Sequence, residues 1–123
     1  MPILEVEIVL RPNESLPDGL AIQLADCAGN LFGSSPGETW VKVRPIPAEQ
    51  YAENGGLLPE GFYPVFVSVL KARPPSGDDL QTEVSELTSA IAHVCARPTE
   101  SIHLFYQPDA RGRVAFGGRL VIE

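Results

Sequence analysis

From Ile3 to Leu10 the chain alternates. Leu4, Val6, Ile8 and Leu10 make one apolar side, while Ile3, Glu5, Glu7 and Val9 make a mixed one. A period of two is the mark of a half-buried strand. Ser15, Pro17 and Asp18 then supply helix-starting residues. Leu20, Leu24, Cys27 and Leu31 follow at helical spacing, and Gly33 is placed to end that helix. Thr39 to Val43 reads as a second strand. Residues 47–63 contain Asn54-Gly55-Gly56, Pro59 and Gly61, a turn-rich connector with room for a small hairpin.

The same order of elements then recurs. Val65 to Leu70 is nearly all apolar, as in a strand covered on both faces. Ser76 to Asp79 offers capping groups, and Leu80, Val84, Leu87 and Ile91 repeat the helical stripe. Pro98 marks the helix stop, and Ser101 to Tyr106 is the last long strand. Gly117-Gly118 before Leu120-Val121-Ile122 reads as a closing turn and a short strand.

The recurrence is a duplication. Pro2 and Pro64 stand 62 residues apart, and the same offset joins Arg11-Pro12 to Arg73-Pro74, Pro36 to Pro98, and Gly55-Gly56 to Gly117-Gly118. The helical stripes are offset by 60, so loop lengths changed around a preserved helix. We expect an α/β fold of the α+β sandwich type: one domain over 1–123 built of pseudo-repeats 2–61 and 64–123. Each unit should pair its strands in parallel through a crossover helix, giving a four-stranded sheet with two helices on one face. Val65, Val67 and Val69 are expected on the other face beside Ile3 and Val9, and such a face calls for oligomerisation.

Composition narrows the function. The 123 residues carry a net charge of −7 and 44% hydrophobic content, which suits one compact core. The acidic balance argues against nucleic acid or an anionic membrane as partner. No apolar run could span a bilayer, and the N-terminus lacks the basic and apolar regions of a secretory leader. Cys27 and Cys95 read as free, partly buried thiols, and together these features point to the cytoplasm.

The two repeats differ in chemistry. If Met1 is removed, Pro2 carries a free secondary amine, whereas Pro64 is fixed in a peptide bond. One half is thus chemically live and the other supporting. His103 alternates with Ile102 and Leu104, so it faces away from them, towards a pocket or an interface. Neither His93 nor His103 pairs with acids or cysteines at ligand spacing, so no metal site is evident. Gly33-Ser-Ser-Pro-Gly37 lacks the lysine of a phosphate loop.

The Met-Pro-Ile opening, the duplicated strand-helix-strand unit and the Phe116-Gly117-Gly118 ending resemble the tautomerase superfamily. That group includes 4-oxalocrotonate tautomerase, 5-carboxymethyl-2-hydroxymuconate isomerase and macrophage migration inhibitory factor. Residues 65–120 resemble one short-form subunit, and the whole chain resembles the fused long forms. The resemblance implies a homotrimer whose three sheets enclose a barrel. It implies a cofactor-independent tautomerase acting on small 2-oxo or 2-hydroxy carboxylic acids, with Pro2 as base after loss of Met1. Arg73 occupies the place of the family's carboxylate-binding arginine, and Arg11 is its repeat-mate. His103 stands where the short forms have a second arginine, Ser34 falls near a lysine of the growth-inhibitory-factor branch, and Phe116 can serve for the pocket-closing aromatic near Val114. Lys42, Arg44, Arg111 and Arg113 could restore positive charge.

Two alternatives stay open. Hydration, dehalogenation or decarboxylation could run on the same scaffold. The element order also describes a non-catalytic, ferredoxin-like ligand-binding module, whose sheet would be antiparallel.

Overall fold

The computed structural model describes residues 2–56 and 61–122. Met1, on whose removal the amine chemistry depends, and Pro59 of the connector lie outside the described residues. The main elements are β1 (Ile3–Val9), α1 (Leu20–Phe32), β2 (Trp40–Ile46), β3 (Val65–Leu70), α2 (Gly77–Cys95) and β4 (Ile102–Tyr106). A two-stranded ribbon of β5 (Ala115–Phe116) and β6 (Arg119–Leu120) follows. The sheet order is β2-β1-β3-β4. β1 pairs with β2 and β3 pairs with β4 in parallel, while β1 and β3 meet antiparallel at the centre. Parallel pairs on both sides exclude the wholly antiparallel sheet of the ferredoxin-like alternative.

The helix boundaries have local causes. Gly33 ends α1 at φ 67 in the left-handed region, which glycine enters without a Cβ penalty. Ala96 ends α2 at φ 54, followed by Arg97 and the stop at Pro98. Gly117 and Gly118 both have positive φ, 57 and 85, as a two-residue type I′ hairpin turn demands. Within the described part of the connector, Ala48–Gln50 forms a single turn of 3-10 helix.

One expectation about the sheet is overturned. Val65, Val67 and Val69 are fully buried in one cluster with Leu4, Val6, Ile8 and the helical Leu20, Leu24, Leu87 and Ile91. The central pairing explains it. Val65 lies opposite Ile8, Val67 opposite Val6 and Val69 opposite Leu4, and directly paired residues point to the same side. Val9 is buried too. The face away from the helices instead carries Ile3, Glu5, Glu7, Phe66, Ser68 and Leu70, with Lys42, Arg44 and Phe105 from the outer strands. Ion pairs Glu5–Lys42 (2.9 Å) and Glu7–Arg44 (3.3 Å) occupy one half of that face. Phe66, stacked on Phe105 with ring centroids 6.3 Å apart, occupies the other. No helix among the described residues is long and apolar enough to cross a membrane.

Candidate active site at the Pro2 end

Antiparallel pairing of β1 and β3 brings the start of one strand beside the end of the other: Ile3 lies opposite Leu70. The start of β2 joins them, because the Trp40 N–H donates to the Pro2 carbonyl at 2.9 Å. The end of β4 arrives through the Gln107 N–H, which donates to the Val69 carbonyl at 2.8 Å. These strand ends border a cavity of about 480 Å³. Ile3 and Leu70 give it an apolar side, and Pro108, Ala110 and Val114 another. Ser68 and Gln107 add neutral polar groups, joined by a 2.7 Å bond from Gln107 Nε2 to Ser68 Oγ. Glu5, Lys42, Asp109 and Arg113 supply the charge.

The segment after β4 is pinned where it lies. The Ala110 N–H donates to the Lys71 carbonyl (3.1 Å), and those of Arg113 and Val114 to the Ala110 carbonyl (3.1 Å each). Asp109 is gripped by Arg111 at 2.7, 3.1 and 3.2 Å. Hydrogen bonds from the Arg111 side chain and backbone, with the charges of Arg111 and Arg73, hold the Asp109 carboxyl below its ordinary range. Asp109 is therefore an anion at neutral pH and not a proton donor. Behind this segment the Tyr106 hydroxyl donates to Glu83 (2.6 Å), which also binds Lys71 (2.7 Å). Burial first, and then Glu83, push the Tyr106 hydroxyl far up, so unlike Asp109 it stays protonated at neutral pH.

The expected site residues divide between the two ends of the sheet. Pro2 is buried at the cavity end, although the cavity is lined by its neighbour Ile3 and not by Pro2 itself. Arg73 is exposed just beyond β3 at the same end. Phe116 packs edge-on against Trp40 there, with centroids 5.2 Å apart. Arg11 and His103 lie at the opposite end within this chain. Arg11 follows β1 and binds Glu14 (3.2 Å) and the Ala96 carbonyl (2.8 Å). His103 pairs with Phe66 near the start of β3, its ring 5.5 Å away. Sequence reasoning missed Ser68, Gln107 and Asp109. The Gln-Pro-Asp run after the last long strand was the available signal, marking a turn at a strand end.

Near Pro64 the described residues form a buried ion pair. Arg97 is buried, its side chain 1% exposed, and its guanidinium meets both oxygens of Glu14 at 2.9 and 3.2 Å. It also donates to the carbonyls of Tyr63 (3.1 Å), Val9 (2.9 Å) and Cys95 (3.1 Å). Burial works to raise the Glu14 carboxyl, but the bonds from Arg97 and the Arg11 backbone outweigh it and hold that carboxyl low. Among the described residues no group of three His, Cys, Asp or Glu side chains could hold a metal ion.

By sequence, the chain matches no protein-family model and no curated protein. By structure it has close counterparts. A fused 4-OT solved as a symmetric trimer superposes with TM-score 0.73 at 13% identity, over 98% of this chain and 95% of that one. Pt0534 inactivated by 2-oxo-3-pentynoate gives 0.74 at 10%, over 98% and 95%. MIF2 of Leishmania major gives 0.67 at 19%, over 98% and 97%. The chain shares the fold of these solved 4-OT and MIF structures.

Proposed function

We propose that this chain is a cofactor-independent tautomerase that moves a proton within small 2-oxo or 2-hydroxy (enol) carboxylic acids. The observation that carries the reading is the cavity at the Pro2 end, set against the filled corner at Pro64. Once Met1 is removed, Pro2 presents a secondary amine at the buried start of β1. Burial at the start of β1 disfavours its charged form, and the neutral amine accepts a proton from the substrate. It returns that proton to another carbon or oxygen of the same conjugated system. Positive side chains at the cavity bind the substrate carboxylate and steady the developing enolate. The tautomerase-superfamily fold, and a structural counterpart inactivated by a 2-oxo acid, support this assignment.

The active form is a homotrimer. The uncovered sheet face, with Ile3, Phe66 and Leu70 beside Phe105 at 55% exposure, favours assembly through that face. A fused 4-OT counterpart is itself solved as a trimer. Copies assembled in this way could carry Arg11 or His103 of one chain towards the cavity of the next.

The test is ketonisation of a small enol acid, followed by its ultraviolet absorbance. Protein whose intact mass shows Met1 removed should turn the acid over, and Pro2→Ala should lower kcat by about 100-fold or more. Equal turnover by Pro2→Ala, or full turnover by protein that keeps Met1, would remove Pro2 from the mechanism. Light scattering in the same buffer should give three times the mass of the 13.3 kDa chain.

A further inference from the structure

We propose that Arg113 holds the substrate carboxylate, and that the cavity accepts acids with one carboxylate in preference to two. The inference rests on the reading of the cavity as the substrate site and narrows the class of acid it takes. Four charged side chains line the cavity, and three are already committed. Lys42 is paired with Glu5 at 2.9 Å. Asp109 is gripped by Arg111, which is not itself a lining residue. Among the described residues Arg113 makes no salt bridge and no side-chain hydrogen bond, so its guanidinium is free to meet a ligand. Its backbone is fixed by the bond to the Ala110 carbonyl, and Ala110 is tied to Lys71 at the end of β3. A planar guanidinium on an anchored turn can take a carboxylate through two parallel bonds.

The rest of the wall fixes the selectivity. The Gln107 amide spends one hydrogen on Ser68, leaving its other hydrogen and the serine hydroxyl hydrogen for a 2-oxo or enol oxygen. Ile3, Leu70, Pro108 and Val114 suit a short hydrocarbon remainder. A second carboxylate would meet Glu5 and Asp109, both anions at neutral pH. Both are held below the ordinary range, Glu5 by its hydrogen bond and charge pairing with Lys42 and Asp109 by Arg111. Among the described lining residues Arg113 is the unpaired cation, so like charges oppose binding of the second group.

A matched pair of ligands tests this. 2-Oxopentanoate and 2-oxoglutarate share a five-carbon skeleton and differ by one carboxylate. Calorimetric titration of the full chain should show 2-oxopentanoate binding more tightly than 2-oxoglutarate. Arg113→Ala should weaken 2-oxopentanoate by about 10- to 100-fold, the worth of a charge-assisted hydrogen bond. Arg113→Lys should restore part of the loss, and Arg119→Ala, on the surface of β6, should bind as wild type. A melting curve checks that each variant is folded. Unchanged binding by folded Arg113→Ala, equal or tighter binding of 2-oxoglutarate by the wild type, or binding of neither acid would overturn the inference. Binding is read independently of turnover. Loss of binding in Arg113→Ala beside full turnover by Pro2→Ala would sink the proton-transfer reading alone, whereas unchanged binding beside Pro2-dependent turnover would sink this inference alone.

Discussion

At the Pro2 end the sheet stops beside a cavity of about 480 Å³, whereas at the Pro64 end the same corner is filled by Arg97 and Glu14. The 62-residue offset sets the two ends against each other position by position. Across the strand offset of 62, Arg97 corresponds to Ser35, Glu14 to Ser76 and Arg11 to Arg73. The Pro64 end has the long cation and its acid; the Pro2 end has two serines and keeps only the outer arginine. On the proposed reading the corner stays open where an amine is to act as base. Where the proline is locked in the chain, the corner is given over to a buried ion pair that ties Val9, Tyr63 and Cys95 together.

The comparison breaks most sharply on the two prolines. Pro2→Ala should cost about 100-fold or more in kcat, while Pro64→Ala, measured on folded protein, should change it by less than about threefold. Comparable losses at both positions would mean that the repeats are not divided into live and supporting halves.

The next effect is on stability. Arg97→Ala leaves Glu14 without its main partner and three carbonyls without a donor. It should cost about 3–5 kcal/mol in denaturant unfolding, while turnover per folded molecule is retained. A cost below about 1 kcal/mol would show that the filled corner is incidental.

Acid sharpens the same point. The Glu14 carboxyl is held below its ordinary value of 4.5, so its contribution is fully present above that value. It is lost as pH falls through the lower folded value. Glu14→Gln should flatten the acid limb of a stability-against-pH curve and leave the neutral region parallel to wild type. An unchanged acid limb would deny the ion pair its role.

The smallest effect concerns a thiol. Burial pushes Cys95 up to about 11, outweighing the opposing charge of Arg97. At pH 8 it should resist alkylation in the wild type. Its labelling should quicken in Arg97→Ala as the corner loosens. Equal rates in the two proteins would show that Arg97 does not control access there.

Much of the fold was legible because it follows from local pattern. The alternation of Leu4, Val6 and Ile8 identified β1 and its buried side, and the helical stripes with Gly33 and Pro98 located α1 and α2. The facing of β3 was not legible. In Val-Phe-Val-Ser-Val-Leu both sides of the strand are largely apolar, and only its antiparallel register with β1 decides which is covered. Arg97 was missed for a similar reason. An arginine between a helix end and a proline reads as a surface charge, and its partner Glu14 lies 83 residues away. At the proposed site, Pro2, Arg73 and Phe116 come from the resemblance to the tautomerase superfamily. Gln107, Asp109 and Arg113 sit on a turn with no periodicity, held in place by backbone bonds to β3.

The most direct measurement is the intact mass of the protein after brief exposure to 2-oxo-3-pentynoate, with the adduct mapped by peptide sequencing. The account predicts loss of Met1 and one adduct per chain, on the Pro2 nitrogen, suppressed by prior addition of 2-oxopentanoate. Retained Met1, or a processed chain labelled elsewhere or not at all, would contradict the claim that the Pro2 end is the live half of the molecule.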